Sequence, residues 1–284
     1  MARTSPLLGV HLSVAGGLHE AIYNAQKLEC AAVQMFTHSN RQWAFTLPTT
    51  QAVEAFRRAK EASSVKTVVV HATYLMNPAS PEKENRLKAV AMLKKELEAC
   101  HMLDITYLVL HPGSALHGSK AQGAMYCADT INYALEATGI CQVLIENMAG
   151  QGSVMGSKLE ELAQIYAQIE QKERVGFCFD TCHGFAAGYD FTTRERYTAF
   201  WKSFDNLLGL SNLKVIHLND SVKPFNAKVD RHAGIGQGLL PLGVFEYIMN
   251  DPYFTLVAKI LETPKGDGLE EDRKNLARVK SLIR

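Results

Sequence analysis

The chain has 284 residues, of which 47% are hydrophobic, and its 30 basic and 29 acidic residues leave a formal net charge of +1. A chain of this length and apolar content can bury a large core, either as one α/β barrel or as two smaller domains. The near-neutral charge neither requires nor excludes a polyanionic partner, because a nucleic-acid enzyme can concentrate its cations on one face and add bound metal ions there. No proline-rich, serine-rich or low-complexity segment divides the sequence, so we predict one domain over residues 1–284.

Targeting signals and cysteines limit the class of protein further. The N-terminal sequence leads into an apolar stretch too short for a signal peptide, and no run approaches the length of a membrane span. We therefore expect a cytoplasmic protein with no membrane partner. The cysteines are scattered without C-x-x-C pairs, which argues against a thiolate zinc site and predicts free thiols in a reducing compartment. They are Cys30, Cys100, Cys127, Cys141, Cys178 and Cys182.

In the first part of the chain, short apolar runs alternate with amphipathic segments. Strands are predicted at 7–11, 31–36 and 66–71. The first ends in His11, and the third is β-branched until it ends in His71. Helices are predicted after each strand, and Ser80 followed by Pro81 has the pattern of an N-cap and first residue for the third helix.

The same alternation continues to the end of the chain. Strands are predicted at 107–111, 142–146, 177–179, 213–217 and 256–262. Ser157 and Glu160 have the spacing of a capping box for a helix between two of these strands. Apolar residues at helical spacing predict a closing helix through Leu276, Val279 and Ile283.

Eight strand-like runs alternate with helical segments at an average repeat of roughly 35 residues, which is typical of parallel β/α folds. An open sheet would need a glycine-rich phosphate loop or a similar device, and the sequence contains none. We therefore predict a single (β/α)8 TIM barrel. In that fold, functional residues lie at the carboxyl ends of the strands. Metal-competent residues occur at these ends: His71, His111, Glu146, Asp180, His217 and Glu262.

Two pairs of an acid and an imidazole extend this set, and one of them shares Asp180 with it. Asp180 and His183 follow the buried sixth strand, and Asp230 and His232 lie in the long segment 219–241 after the seventh strand. Each pair also has a purely structural interpretation. Asp180 and His183 would then be a buried acid and a hydrogen-bonded core histidine, and Asp230 and His232 would be solvated charges in a glycine-rich turn. Long loops in compact domains usually carry function, and the repetition of the pattern favours a metal site.

The candidate ligands number five histidines, two aspartates and two glutamates, with no cysteine. Mixed nitrogen and carboxylate donors favour zinc or manganese in a hydrolytic role. Nine ligands exceed the needs of two ions, so we predict three ions with one bridging carboxylate. Such a cluster suits phosphodiester hydrolysis, because two ions can activate a water while the other neutralises the leaving oxygen.

Three motifs at these positions resemble the signatures of the endonuclease IV family of apurinic/apyrimidinic (AP) endonucleases. They are IENMAGQG at 145–152, FDTCHGFAAGYD at 179–190 and VDRHAGIGQG at 229–238. The similarity runs nearly end to end, and each of the family's nine metal ligands has a matching residue. The resemblance implies a TIM barrel that is a zinc-dependent phosphoric diester hydrolase of the deoxyribonuclease IV (phage T4-induced) type.

The resemblance also implies a ligand set and a substrate. His71, His111 and Glu146 would hold one zinc; Glu146 would bridge to a second zinc held by Asp180, His217 and Glu262; and His183, Asp230 and His232 would hold the third. Glu146 and Glu262 are the predicted catalytic residues, and Mn²⁺ is an alternative at one position. Family members cut duplex DNA on the 5′ side of an abasic site, leave a 3′-hydroxyl and remove 3′ blocking groups. We expect a monomer that associates with the nucleoid when it acts.

Family members insert side chains into the bent duplex and extrude the abasic nucleotide; the matching residues are Arg41, Tyr74 and Leu75. The structural alternative for Tyr74 and Leu75 is an anchor that tucks their loop onto the barrel. Some positions depart from the family pattern and put DNA-backbone contacts and lesion preference in doubt. They are His38, Ser39 and Asn40, where a Lys-Asn-Gln-like sequence is commoner, with Ala72, Asn226, Ala227, Ala233 and Gln237.

Two other functions remain open on the sequence. A metal-dependent sugar isomerase or epimerase of a related barrel also places Glu, Asp and His at strand ends, but it would not need His183 or the pair Asp230 and His232. A lesion-binding protein that does not cut would be expected to have lost ligands, and none is lost. A di-metal amidohydrolase is disfavoured because the first strand lacks His-x-His.

Overall fold

The computed structural model describes residues 6–136 and 139–284. Its strands are β1 (Leu8–His11), β2 (Ala32–Met35), β3 (Thr67–His71), β4 (Tyr107–Leu110), β5 (Gln142–Glu146), β6 (Val175–Asp180), β7 (Leu213–His217), β8 (Asp220–Ser221), β9 (His232–Ala233) and β10 (Ala258–Leu261). Its α-helices are α1 (Leu18–Lys27), α2 (Thr50–Glu61), α3 (Lys83–Met102), α4 (Lys120–Leu135), α5 (Leu159–Ala167), α6 (Thr181–Ala187), α7 (Arg194–Leu208), α8 (Leu242–Asn250) and α9 (Glu270–Lys280). Short 3₁₀ turns occupy Lys172–Arg174, Leu210–Asn212 and Pro252–Phe254.

The parallel strands close into a barrel in the order β1-β10-β7-β6-β5-β4-β3-β2. Closure is made by β1, which pairs in parallel with β2 on one side and with β10 on the other. The (β/α)8 prediction is therefore confirmed, and each of the eight predicted strands lies within two residues of its observed bounds. The remaining strands, β8 and β9, form a separate antiparallel ribbon in the segment after β7 that was predicted to be irregular.

Side-chain alternation decides which residues enter the barrel. An apolar cluster fills its interior: Ala32, Val69, Val109, Leu144, Cys178, Val215, Ala258 and Ile260. Successive side chains of a strand point to opposite faces, so the residue two positions further along points inward as well. Those residues are Gln34, His71, His111, Glu146, Asp180, His217 and Glu262. The polar layer thus lies directly on the apolar one, at the carboxyl end of the barrel.

Two predicted helix starts are wrong, one because of a local turn and the other because of a tertiary contact. Helix α3 begins at Lys83, and Ser80 instead bonds to Glu82 in the turn that precedes it. The predicted capping box of Ser157 and Glu160 does not form. The first amide of α5 donates to the hydroxyl of Tyr189, 2.7 Å away, from a different part of the chain.

A buried lysine of β10, whose side chain points to the outer face of the barrel, gives a prediction about stability. Lys259 is 1% exposed, and its ammonium donates to the carbonyl of Phe254. Burial lowers the pKa of Lys259 from 10.5 to about 8, against the opposing effect of Asp251. Below pH 8 the lysine is charged in both the folded and the unfolded chain, so the folded protein bears the full cost of burying the charge, about 3 kcal/mol.

We expect Lys259→Met to raise the free energy of unfolding at pH 7 by about 1–2 kcal/mol, since the lost hydrogen bond offsets part of the gain. The advantage should shrink as pH rises from 8 towards 10.5, because the native lysine becomes neutral while the unfolded one is still protonated. Urea unfolding of both proteins at pH 7 and pH 10 measures the difference. A gain that is the same at both pH values would contradict the explanation.

In the described residues, the helices are all too short or too polar to cross a bilayer. The expectation that no signal peptide is present concerns the N-terminus, and residues 1–5 lie outside the described part of the chain.

Candidate metal centre

Glu146 lies at the centre of the polar layer, fully buried at the end of β5. One of its oxygens, Oε2, is 3.3 Å from Nε2 of His71 and 3.1 Å from Nε2 of His111. Its other oxygen, Oε1, is 3.1 Å from Nδ1 of His217 and 3.2 Å from Nδ1 of His183. The two carboxylate oxygens therefore face different groups of imidazoles, which is the arrangement required of a bridging ligand.

The second group surrounds His217, which is completely buried. Its Nδ1 is 3.2 Å from Oε2 of Glu262 and 3.9 Å from Oδ2 of Asp180. Ligand atoms of Glu146, Asp180, His217 and Glu262 all lie within 4.8 Å of one another, as do those of His71, His111 and Glu146.

The third group joins helix α6 to the segment after β7. Nε2 of His183 is 3.3 Å from Oδ2 of Asp230, and Nε2 of His232 is 3.1 Å from Oδ1 of the same carboxylate. Ligand atoms of the three residues lie within 4.8 Å of one another. The structure thus brings all nine predicted ligands together at one barrel mouth, in the three groups that the resemblance implied.

Backbone carbonyls fix the orientation of several imidazoles. Nδ1 of His71 lies 2.7 Å from the carbonyl oxygen of Ala72, and Nδ1 of His232 lies 3.0 Å from that of Glu262. Nδ1 of His183 is 2.9 Å from the carbonyl oxygen of Asn147. A carbonyl only accepts, so each Nδ1 carries a proton, and Nε2 is the atom that faces the site and would bind a metal ion in place of its own proton.

Two ring nitrogens support the fit of a metal ion. Nε2 of His183 and Nε2 of His232 are buried, and although oxygens of Asp230 lie 3.3 and 3.1 Å away, neither nitrogen makes a hydrogen bond of good geometry within the described residues. A buried nitrogen without a partner is costly, and native structures rarely leave one unexplained. A divalent cation between these nitrogens and Asp230 would satisfy both, and neutral imidazole with carboxylate is a donor set that zinc accepts.

The electrostatics of the site favour bound cations. Burial alone would raise the pKa of Glu146 and of Glu262, but the charge of His217 and of other nearby histidines holds both pKa values well below the ordinary range. The pKa of His232 reaches about 9 because Asp180 and Asp230 outweigh its burial. Ionised carboxylates therefore converge in a buried place where only positive charge offsets their mutual repulsion.

Two cysteines also approach the site but are poor ligands. Cys178 lies near Glu146 and His217, and Cys182 lies near Asp180 and His232. Burial raises the pKa of each thiol to about 12, so both are protonated at neutral pH. Only the thiolate binds metals well, which is consistent with a ligand set of histidines and carboxylates.

Sequence reasoning missed the residues that hold the ligands in place. Gln34, on β2, accepts from Nε2 of His217 at 2.8 Å and donates to Oε1 of Glu262 at 2.6 Å. Asn219 donates to Oδ2 of Asp180 and accepts from the amide of Glu262. A signal for Gln34 was present, because it is the single polar residue in a strand that is buried on both faces. His11, at the end of β1, also lies beside this group, 3.4 Å from Oε1 of Glu262.

Asp220 organises the segment that supplies Asp230 and His232. Its buried carboxylate accepts hydrogen bonds from the amides of Ser221, Gly236, Gly238 and Leu240, at 2.7 to 3.0 Å. Gly238 is required at its position, because a Cβ atom there would lie 2.4 Å from the carboxylate. One buried acid therefore holds the turn that follows the third ligand group.

We expect Asp220→Ala to lower the free energy of unfolding by about 3 kcal/mol, because four backbone amides lose their acceptor and those of Ser221 and Leu240 are buried. It should also weaken binding at the third ligand group, since the segment would no longer be held. Urea unfolding and metal content per chain test the two effects together. Asp220→Asn is the matched control, and its amide oxygen should preserve part of the stability; equal losses in the two variants would contradict the role of the carboxylate.

The three residues matched to DNA contacts lie on two loops beside the metal centre. Arg41 is exposed on the loop between β2 and α2. Tyr74 and Leu75 follow β3, and the Tyr74 ring is 5.1 Å from the ring of His71 and 5.3 Å from that of His111. Tyr74 remains 51% exposed over the site, whereas Leu75 is partly buried. The exposure argues against a covered anchor at Tyr74 but does not distinguish the two roles at Leu75.

A cavity of about 450 Å³ opens beside these loops. Tyr74 and Phe36 contribute its aromatic wall, Glu262 lies at its metal-centre side, and Arg231 and Lys265 add positive charge. A cavity of this size accommodates a small polar ligand, and its cations suit a phosphate.

Comparisons with known proteins agree with this geometry. A sequence model described as a xylose isomerase-like TIM barrel matches residues 22–281. The "Probable endonuclease 4" of Geobacter sulfurreducens is 43% identical over 281 residues, which cover 98% of this chain and 94% of that protein. The crystal structure of endonuclease IV from Thermus thermophilus superposes with a TM-score of 0.86 at 36% identity, covering 98% of each chain. A D-tagatose 3-epimerase-like protein has a TM-score of 0.75 at 20% identity, over 97% of this chain and 96% of that one, a likeness of fold alone.

Proposed function

Because the chain belongs to the endonuclease IV family of AP endonucleases, we propose that it cuts the phosphodiester on the 5′ side of abasic sites in duplex DNA. The product would carry a 3′-hydroxyl, and the same chemistry would remove blocking groups from damaged 3′ ends. The observation that carries the proposal is the position of Glu146, whose two oxygens face two separate groups of histidines.

We further propose that three zinc ions occupy the site, with Mn²⁺ as an alternative at one position. His71, His111 and Glu146 would hold the first; Glu146, Asp180, His217 and Glu262 the second; and His183, Asp230 and His232 the third. Bound zinc would supply an activated water and neutralise the leaving oxygen. The unpartnered nitrogens of His183 and His232 support the third position in particular.

The protein's own residues would orient these groups. Gln34 holds Glu262 and His217 in fixed positions, and Asn219 holds Asp180. The hydrogen bonds to Gln34 and Asn219 leave each carboxylate little freedom to rotate, so the site is ordered before substrate binds. Glu146 and Glu262 are the proposed catalytic residues, because both face the centre of the cluster.

Recognition of the lesion would depend on Arg41, Tyr74 and Leu75. A nucleotide without its base has lost its stacking, so kinking the duplex and extruding that nucleotide cost least there. The exposed ring of Tyr74 over His71 and His111 would place an inserted side chain next to the cutting site. The cavity beside it, with Arg231 and Lys265, would receive the extruded sugar phosphate.

The likeness to an epimerase-like barrel reflects the shared fold. A sugar isomerase needs fewer metal ions, and the group of His183, Asp230 and His232 has no role in such a reaction. That group therefore favours phosphodiester cleavage, for which three ions suit the charge that develops. We place the protein in the cytoplasm, on the nucleoid when it acts, and expect it to act as a monomer.

The test combines metal analysis with an incision assay on the same preparation. We expect about three zinc ions per chain and cutting 5′ to a single abasic site in a labelled duplex, with no cutting of the matched undamaged duplex. A duplex with a 3′-phosphoglycolate end measures removal of a blocking group. One or two metals per chain without any cutting, together with epimerisation of a ketohexose, would overturn the proposal.

A further inference from the structure

Glu96 is a fully buried carboxylate that the metal centre does not use. It lies on α3, outside the barrel, and is 0% exposed. Glutamate is almost never fully buried unless its charge is compensated. Within the described residues, no lysine or arginine forms an ion pair with it. The compensation must come from the groups that surround its two oxygens.

Those groups belong to two different loops. The hydroxyl of Thr37, at the start of the loop between β2 and α2, donates to Oε2 of Glu96 at 2.5 Å. The amide of Thr73, in the loop after β3, donates to Oε1 at 3.4 Å. Thr73 also donates through its hydroxyl to the carbonyl oxygen of Asn40, 3.0 Å away. One carboxylate thus connects the loop of Arg41 to the loop of Tyr74.

His38 completes the surroundings of this carboxylate. Its Nδ1 is 3.4 Å from Oε1 of Glu96, and its ring stacks on Phe45 with centroids 4.2 Å apart. Burial raises the pKa of Glu96 to about 7, and burial lowers the pKa of His38. The His38 imidazole therefore packs beside Glu96 without supplying a fixed positive charge. The hydrogen-bond donors to the Glu96 carboxylate are Thr37 and Thr73.

We propose that Glu96 is a positioning residue that sets the spacing between the loop of Arg41 and the loop of Tyr74 and Leu75. The inference rests on the proposed function, because it assumes that these side chains enter damaged DNA. Arg41 lies four residues beyond Thr37, and Tyr74 directly follows Thr73, so a shift at either threonine moves a recognition side chain. Without the carboxylate, the buried amide of Thr73 has no acceptor and the loop must move to find one.

Two substitutions of Glu96 distinguish a positioning role from ordinary packing. Leucine would fill the volume of Glu96 but accept no hydrogen bond, so Glu96→Leu keeps the packing and removes the link between the loops. In Glu96→Gln, the amide oxygen can accept from Thr73 and the amide nitrogen can donate to the Thr37 hydroxyl. The conservative variant should therefore retain the link that the apolar variant loses.

The experiment measures discrimination between damaged and undamaged DNA. We expect Glu96→Leu to weaken binding to an abasic duplex about tenfold, since a displaced contact is lost, while binding to the undamaged duplex stays within about twofold. A 2-aminopurine opposite the abasic site should lose its fluorescence increase, because insertion is impaired. Zinc content should equal that of the wild type. Glu96→Gln should restore most of the discrimination.

Controls separate this inference from loss of folding and from the proposed function. Glu161→Gln changes another buried helical glutamate, which accepts the amide of Gly156 away from both loops, and it should leave discrimination unchanged. If Glu96→Leu does not fold, Thr37→Val removes the same link from its other end and should weaken discrimination in the same direction. Equal weakening on both duplexes, or no change on either, overturns the positioning role. A wild-type protein that cuts no abasic duplex overturns the proposed function and this inference together.

Discussion

Glu146→Gln is expected to lower the rate of abasic-site incision by about 10³-fold, which corresponds to roughly 4 kcal/mol of transition-state stabilisation. Glutamine has nearly the same shape but only one acceptor oxygen, so it cannot face both His71 and His217 with a charged oxygen. The loss of the shared negative charge would weaken two metal positions at once. Single-turnover incision with saturating enzyme measures the chemical step without a contribution from binding.

Loss of incision by Glu146→Gln reports on the metal centre only if the variant still folds. Its fold should persist, because Glu146 lies in a polar layer above an intact apolar interior. Elemental analysis should find fewer zinc ions per chain than in the wild type. Glu262→Gln, at the edge of the same group, should lose activity to a smaller extent. A Glu146→Gln protein that kept a tenth or more of the wild-type rate would rule out a bridging role.

Removal of metal is expected to abolish incision and to destabilise the protein. Without cations, the buried carboxylates of Glu146, Asp180 and Glu262 converge with only histidine protons to offset them. For each site at which free zinc exceeds its dissociation constant a thousandfold, the bound ion contributes about 4 kcal/mol through linkage to folding. For a chain of this size, that corresponds to a fall in Tm on the order of 10 °C.

Dialysis against a chelator, followed by differential scanning calorimetry and the incision assay, measures both effects. Adding zinc back should restore activity and Tm in parallel, which distinguishes loss of metal from irreversible damage. The Lys259→Met protein provides a control with altered stability and an unchanged metal centre. A chelated protein with unchanged Tm would show that the described ligands bind no structural cation, even if activity were lost.

Much of the barrel could be predicted because its strands are short and follow one rule. Each except β2 is an apolar run that stops at a polar residue, and the alternation of side chains places that residue over the barrel interior. The starts of α3 and α5 could not be predicted in this way. The first amide of α5 is satisfied by Tyr189, which lies 30 residues further along the chain, so the local capping signal was not used.

The ligands were easier to predict than the groups that support them. His71 and His217 end strands and repeat a pattern, whereas Gln34 contacts His217 across 183 residues of sequence. Asp220 likewise acts through amides that lie up to twenty positions away. Glu96 gave no sign of its role, because an acid on a helix is usually solvated and only the packing of two loops buries it.

The order of the ligands along the chain has a consequence for synthesis of the protein. The first, His71, and the last, Glu262, lie at opposite ends of most of the sequence, and the barrel closes only when β10 pairs with β1. While the chain is being made on the ribosome, the early ligands emerge long before their partners. A nascent chain therefore presents isolated histidines and carboxylates, and the nine proposed ligands can assemble only after the last strand has left the exit tunnel.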